Sequence, residues 1–183
     1  MSTKQRCFWA NPKNPLYLHY HDEEWGRPVH EDHKLLELLI LESFQAGLSW
    51  ECILNKREAF RLAFDNFDRD KILAYDDAKI ESLMSNAAII RNRAKIIAAI
   101  NNTRIFKDIQ QEFGSFDAYL VHMCPAGTIY DHTSTTSPLS DLISKDLRHR
   151  GMKFVGSTTI YSFLQSIGII NSHQPDCYLY HRQ

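Results

Sequence analysis

Glycine and proline are scarce in this sequence, seven and six among 183 residues, and with 44% hydrophobic residues, ordinary for a globular protein, collagen-like, low-complexity and disordered chains are excluded. No apolar run approaches the roughly 20 residues that span a bilayer. The polar stretch from Met1 to Arg6 leads into Cys7 without the apolar core of a secretory signal, so a cytoplasmic protein is expected. Without export, the four cysteines read as thiols or metal ligands rather than as a disulfide framework. Period-two alternation is almost missing, as are Asn-Gly and Asp-Gly hairpin turns. There is no G-x-S-x-G elbow, P-loop, H-E-x-x-H pair or C-x2-C knuckle. A serine hydrolase, a P-loop nucleotidase and a metalloprotease are therefore left without support. A formal net charge of −1 speaks against a histone-like polyanion binder while leaving room for a local basic face.

What is present is helical periodicity. In KLLELLILESFQA (34–46), Leu35, Leu38, Leu39, Glu42 and Ala46 share one stripe. Gly47 kinks or ends that helix before LSWECIL runs on to Lys56. Asp68 and Asp76 suit the N-caps of two short helices. Residues 87–106 form the longest periodic stretch, with Ile90, Ala94, Ile97 and Ile100 on its face. Ser115 caps a helix over 116–123. Ser137-Pro138 opens another, whose apolar face is Leu139, Leu142, Ile143 and Leu147 and whose stop is Gly151. A last helix covers about Ser157 to Ile167, ended by Gly168. The expected fold is all-α, with seven or eight helices in a single domain (1–183) of two lobes and a helical hairpin near 145–160.

Four features carry chemistry. Cys7, His21, His173 and Cys177 form a Cys2His2 set; if His173 and Cys177 lay on one helical turn they would share a face and complete a closed, structural zinc site. With nine histidines in the chain, spacing alone leaves open the plainer reading of scattered surface histidines and buried thiols. Glu42 is a carboxylate on an apolar stripe and must be paired, protonated or facing a pocket; a salt bridge to Arg91 is its plain structural reading. Tyr17, Tyr20 and Trp25, with Trp50 eight residues beyond Glu42, either fill a core or make a slot for a planar cationic ring. Finally, Lys145 to Gly156 holds four basic residues, Lys145, Arg148, Arg150 and Lys153, around a glycine-bounded turn. That pattern suits a phosphate backbone met by the N–H groups opening the second helix, or a plain solvated αα-hairpin.

Taken together, PLYLHYHDEEWGRP, LESFQAGLSW, IIRNRAKI and GMKFVGSTTIYSFLQSIGIINSH resemble the DNA-3-methyladenine glycosylase I family of base-excision repair enzymes. The resemblance implies a helix-hairpin-helix glycosylase fold with a structural zinc joining the two termini. It implies a monofunctional enzyme that flips out 3-methyladenine from alkylated double-stranded DNA and hydrolyses its N-glycosidic bond, leaving an abasic site. The zinc ligands carry over to Cys7, His21, His173 and Cys177, and the base pocket to Glu42, Tyr20, Trp50, Trp25 and Tyr17, with Glu42 and Tyr20 as the catalytic pair. The DNA contacts carry over to Gly47 and Leu48 in the loop after the first long helix, and to Gly151, Lys153, Gly156, Ser157 and Thr158 in the hairpin. No nucleotide cofactor or membrane is implied, and a monomer is expected. The Cys7–His21 segment is one residue longer than the family's usual pattern. Ala88 and Ala94 stand where glycine is common, and Ser172 replaces an acidic residue. Two other readings remain: a non-catalytic DNA-binding module with a zinc clasp, and a small-molecule hydrolase using the same pocket.

Overall fold

The computed structural model describes residues 4–124 and 127–180. Ten α-helices and one short 3-10 turn (Asp65–Phe67) lie in these segments: α1 Pro15–Glu23, α2 Asp32–Gln45, α3 Trp50–Asn55, α4 Arg57–Ala63, α5 Arg69–Leu73, α6 Asp77–Ser85, α7 Arg93–Phe113, α8 Phe116–Met123, α9 Pro138–His149 and α10 Ser157–Ser166. Side-chain caps begin most of them. Asn14, Ser49, Asp68, Asp76, Asn92, Ser115 and Ser137 each accept from a backbone N–H two or three residues inside their helix. Ser137 and Ser140 form a reciprocal capping box.

α2 is the central element. Every residue from Leu35 to Phe44 is buried, so the helix is enclosed on all sides, with α3, α7, α8 and α10 packed around it. At its start, Asp32 accepts from Gln110 and from the backbone N–H groups of Phe116 and Asp117, joining α2 to the end of α7 and the first turn of α8.

Three expectations are revised. Among the described residues the helices number ten rather than seven or eight, because α1 forms in the aromatic segment and the 50–63 stretch divides at Lys56 (φ −102°, ψ 0°). Of the two outcomes expected at Gly47, which lies at φ +81°, the helix ends rather than kinks. α7 begins only at Arg93, capped by Asn92, and its core face runs through Ile96, Ala99, Thr103 and Phe106; Ile97 is 48% exposed. On α9 the core takes Leu139, Ile143 and Leu147 and leaves Leu142 half exposed. In both helices the apolar positions exceed what the neighbours can cover, and packing chooses among them. A two-residue parallel pairing, β1 (Ile129–Tyr130) with β2 (Ile170–Asn171), is too short for any alternation to announce it.

Candidate active site

α2 carries Glu42 to the floor of a cavity of about 350 Å³. Tyr20 comes from α1 and Trp50 from the first turn of α3, their rings 5.3 Å apart between centroids. Tyr17 lies 6.4 Å from Tyr20, and Trp9 and Trp25 extend the wall. Although α2 and α3 are separate helices, the turn at Gly47 still returns Trp50 to Glu42. All five residues carried over for the base pocket thus line one cavity.

Its electrostatics are unusual. Glu42 is 3% exposed, and its Oε2 has no hydrogen-bond partner. Among the described residues no cation pairs with it; Arg91 is solvent-exposed, which removes the salt-bridge reading. Burial pushes its carboxyl well above the ordinary carboxylate range. Burial, followed by the nearby Glu42 charge, likewise raises the Tyr20 hydroxyl, which stays protonated. The Trp50 indole N–H is a second buried polar group without a partner. A buried acceptor and a buried donor, both unsatisfied beside tilted aromatic rings, suit a polar planar ligand.

The cavity has further walls outside the expected set. Ser162 and Gln165 face it from α10, and His132, Thr133, Ser134 and Thr135 from the loop that follows β1. Thr158, Ser162 and Gln165 form an i, i+4, i+7 polar stripe on a helix whose other faces are largely apolar, a readable signal. The hydroxyl-rich 132–135 loop has none, because only the β1–β2 pairing brings it here.

Gly47 and Leu48 are exposed, and with Glu42, Gln45, Thr158 and Ser162 they border a smaller cleft of about 160 Å³ that continues the cavity along α10. Lys145, Arg148, Lys153, Gly156 and Ser157 line a wider surface cleft around the α9–α10 turn. Gly151 ends α9 at φ +101°. Ser157 turns its hydroxyl inward onto Ser140, 2.8 Å away. Arg150 does not share the basic face: it bonds Glu112 and Asp146 and lies over Phe113 and Tyr119. The turn therefore presents three basic side chains rather than four.

Behind the aromatic wall, Cys7, His21, His173 and Cys177 are all buried, with ligand atoms within 4.8 Å of one another. His173 Nδ1 is 3.6 Å from each sulfur, and His21 Nε2 is 3.5 Å from the Cys177 Sγ. His173 and Cys177 meet through turns after β2 rather than along a helix. Burial pushes the Cys7 thiol up to about 12 and His173 down to about 4. Neutral imidazoles beside thiols that need a cation to ionise fit a metal ion. Asp22 fixes the His21 ring by accepting at Nδ1 (2.9 Å) and is itself held by Arg6, the outer-sphere arrangement of metal-bound histidines. Trp25 packs edge-on to both His173 and Trp9, so cluster and cavity share a wall.

The family model described as methyladenine glycosylase matches residues 9–181. The chain belongs to the methyladenine glycosylase family. A relative in Escherichia coli (strain K12), DNA-3-methyladenine glycosylase 1, is 41% identical over 96% of this chain and 97% of its own. A crystal structure of 3-methyladenine DNA glycosylase I superposes with a TM-score of 0.90 at 40% identity, covering 95% of this chain and 98% of that one. A variant of 3-methyladenine DNA glycosylase I in complex with 3-methyladenine superposes at 0.88, 34% identical over 93% and 95% of the two chains. Among the described residues of this methyladenine glycosylase, no helix is long and apolar enough to cross a membrane.

Proposed function

We propose that this protein is a monofunctional DNA glycosylase that excises 3-methyladenine from alkylated double-stranded DNA, working as one domain over residues 1–183. The observation that carries the reading is the unpartnered carboxyl of Glu42 beneath the Tyr20 and Trp50 rings.

The chemistry follows from charge. A 3-methyladenine nucleotide is cationic, so its base leaves readily and the enzyme's task is selection. The damaged nucleotide flips from the stack at a cost of a few kcal/mol, least where pairing is already weakened. Gly47 and Leu48 approach the gap, while Gly151, Lys153, Gly156, Ser157 and Thr158 hold the phosphates in a helix-hairpin-helix contact, with Lys145 and Arg148 adding Coulomb attraction. In the cavity the base stacks on Tyr20 and Trp50, walled by Tyr17 and Trp25. Its positive charge offsets the burial that keeps Glu42 protonated, so the carboxylate forms on binding and accepts from the amino edge. The Tyr20 hydroxyl remains a donor. A neutral adenine brings no such compensation and leaves slowly.

Water then forms a bond to the anomeric carbon as the bond to the base nitrogen breaks; the water's proton goes to solvent, and free base and an abasic site remain. No lysine lines the cavity among the described residues, so no Schiff base forms and borohydride traps no covalent complex. The Cys7, His21, His173 and Cys177 set would hold one structural zinc ion; four protein donors leave no open position for chemistry.

The test is release of free bases from methylated duplex DNA, wild type beside Glu42→Gln. Selective release of 3-methyladenine, with 7-methylguanine left in place, is expected. The variant is expected to lose about a hundredfold in rate, the scale of one preorganised charge interaction, with duplex affinity nearly kept. Salt-dependent duplex binding without base release would instead identify a non-catalytic module.

A further inference from the structure

α7 lies outside the cavity, yet three of its polar side chains hold the two loops to which the glycosylase reading assigns DNA contact. Lys95 is 7% exposed, and its ammonium donates to the carbonyls of Phe44 (2.8 Å) and Ala46 (2.6 Å). Those carbonyls belong to the C-terminal end of α2, which has no basic residue in its own last turn, and they open the turn that presents Gly47 and Leu48. Two helical turns further along, about 10 Å up the axis, Asn102 grips the hairpin. Its amide donates to the Lys153 carbonyl (2.8 Å) and accepts from the Lys153 N–H (2.9 Å). Asn101 donates to the Gly151 carbonyl (3.0 Å). Phe154, which follows Lys153, sits at φ +55°, a left-handed conformation that strains a non-glycine residue. Its ring lies 5.9 Å from the Lys95 ammonium. A strained backbone held by a two-way side-chain clamp, on the helix that also caps the neighbouring loop, is more than packing requires.

We propose that α7 is a strut that sets the distance between the 45–48 loop and the 150–156 turn, with Lys95 and Asn102 as positioning residues for bent, flipped DNA. The inference rests on the glycosylase reading and deepens it. A flipped nucleotide must reach the cavity while its phosphates stay on the hairpin, so a fixed spacing makes one DNA geometry productive. The cavity keeps anchors of its own: Glu42 and Tyr20 are buried on α2 and α1, upstream of Ala46, and Trp50, downstream of it, packs on the core from α3, which is seated against both α1 and α2.

The experiment compares Lys95→Met, Asn102→Ala and the double variant with wild type. The readouts are steady-state excision from methylated duplex DNA, affinity for free 3-methyladenine by tryptophan fluorescence, and Tm. Each single variant is expected to raise the duplex KM about tenfold, well within what a misplacement of an ångström costs, while free-base affinity stays within about twofold of wild type. The double variant is expected to do little worse than either single, because one broken clamp already frees the spacing; Tm losses should add. Should Lys95→Met not fold, Asn101→Ala, at a half-buried position, loosens the Gly151 contact alone and should raise KM in the same direction. An unchanged duplex KM in folded variants, or free-base affinity falling in step with it, overturns the strut. Wild-type protein that releases no base removes the glycosylase reading beneath it, a different failure.

Discussion

A carboxyl group buried without a partner costs stability, and Glu42 is such a group. In the unfolded chain it ionises above about pH 4.3; in the fold, burial holds its proton to a much higher pH. The unfolded state therefore binds fewer protons across the interval above pH 4.3, and this group lowers stability progressively as pH rises through it. Glu42→Gln is neutral at every pH and escapes the penalty. The variant should melt higher than wild type at pH 7, at about 2–4 °C per kcal/mol for a chain of this size, and the difference should vanish near pH 4. Thermal scans at the two pH values test this; a variant that melts lower at pH 7 would mean that Glu42 is ionised and paired in the free protein. The sequence marks the residue plainly, as the one acid on an apolar stripe. It does not show whether Arg91 reaches it, because an exposed turn and a buried helix face look alike as letters.

At the level of single elements, the caps and stops are local chemistry, and the expected Asp68, Asp76, Ser115 and Ser137 caps all form. Gly168 shows where locality ends. It closes α10 at φ +76°, as a stop glycine should, but a Cβ there would also lie 2.5–2.7 Å from the backbone of Arg27 and Pro28. The chain passes this close because Gly26 and Val29 donate to the carbonyls of Gln165 and Ile167 at the end of α10. Gly168→Ala should thus cost about 3 kcal/mol or more, beyond left-handed strain alone, lowering Tm by about 6–12 °C. Gly114→Ala, at φ +91° with open space around it, should cost about 1–2 kcal/mol. Equal losses at the two sites would mean the contact with Arg27 is unimportant. The misassigned faces of α7 and α9 have a related cause: each offers more apolar positions than its neighbours cover, and the choice lies with α2 and α10.

At the scale of the whole molecule, a metal at Cys7, His21, His173 and Cys177 would fasten residues near both chain ends behind the cavity wall. The purified protein should carry about one zinc ion per chain. Cys177→Ser should lose it and melt several degrees lower, with the 7–25 segment opening to hydrogen exchange before the α2 core. Stoichiometric metal absent from protein that melts at its normal temperature would exclude the ligand set. Because Trp25 touches both His173 and Trp9, free-base affinity should fall in the zinc-free protein as well.

The order of letters alone determined the helical class, the punctuation of helices by caps and glycines and the isolated acid of α2. Each of these depends on residue type and near neighbours, which act through the backbone at short range. Tertiary structure decided what those residues do together. Packing left Glu42 with no cation among the described residues, pairing of β1 with β2 brought the 132–135 loop over the cavity, and Glu112 and Asp146 drew Arg150 off the basic face. Burial and electrostatics depend on which distant groups come within a few ångströms, and chain order does not encode that separation locally.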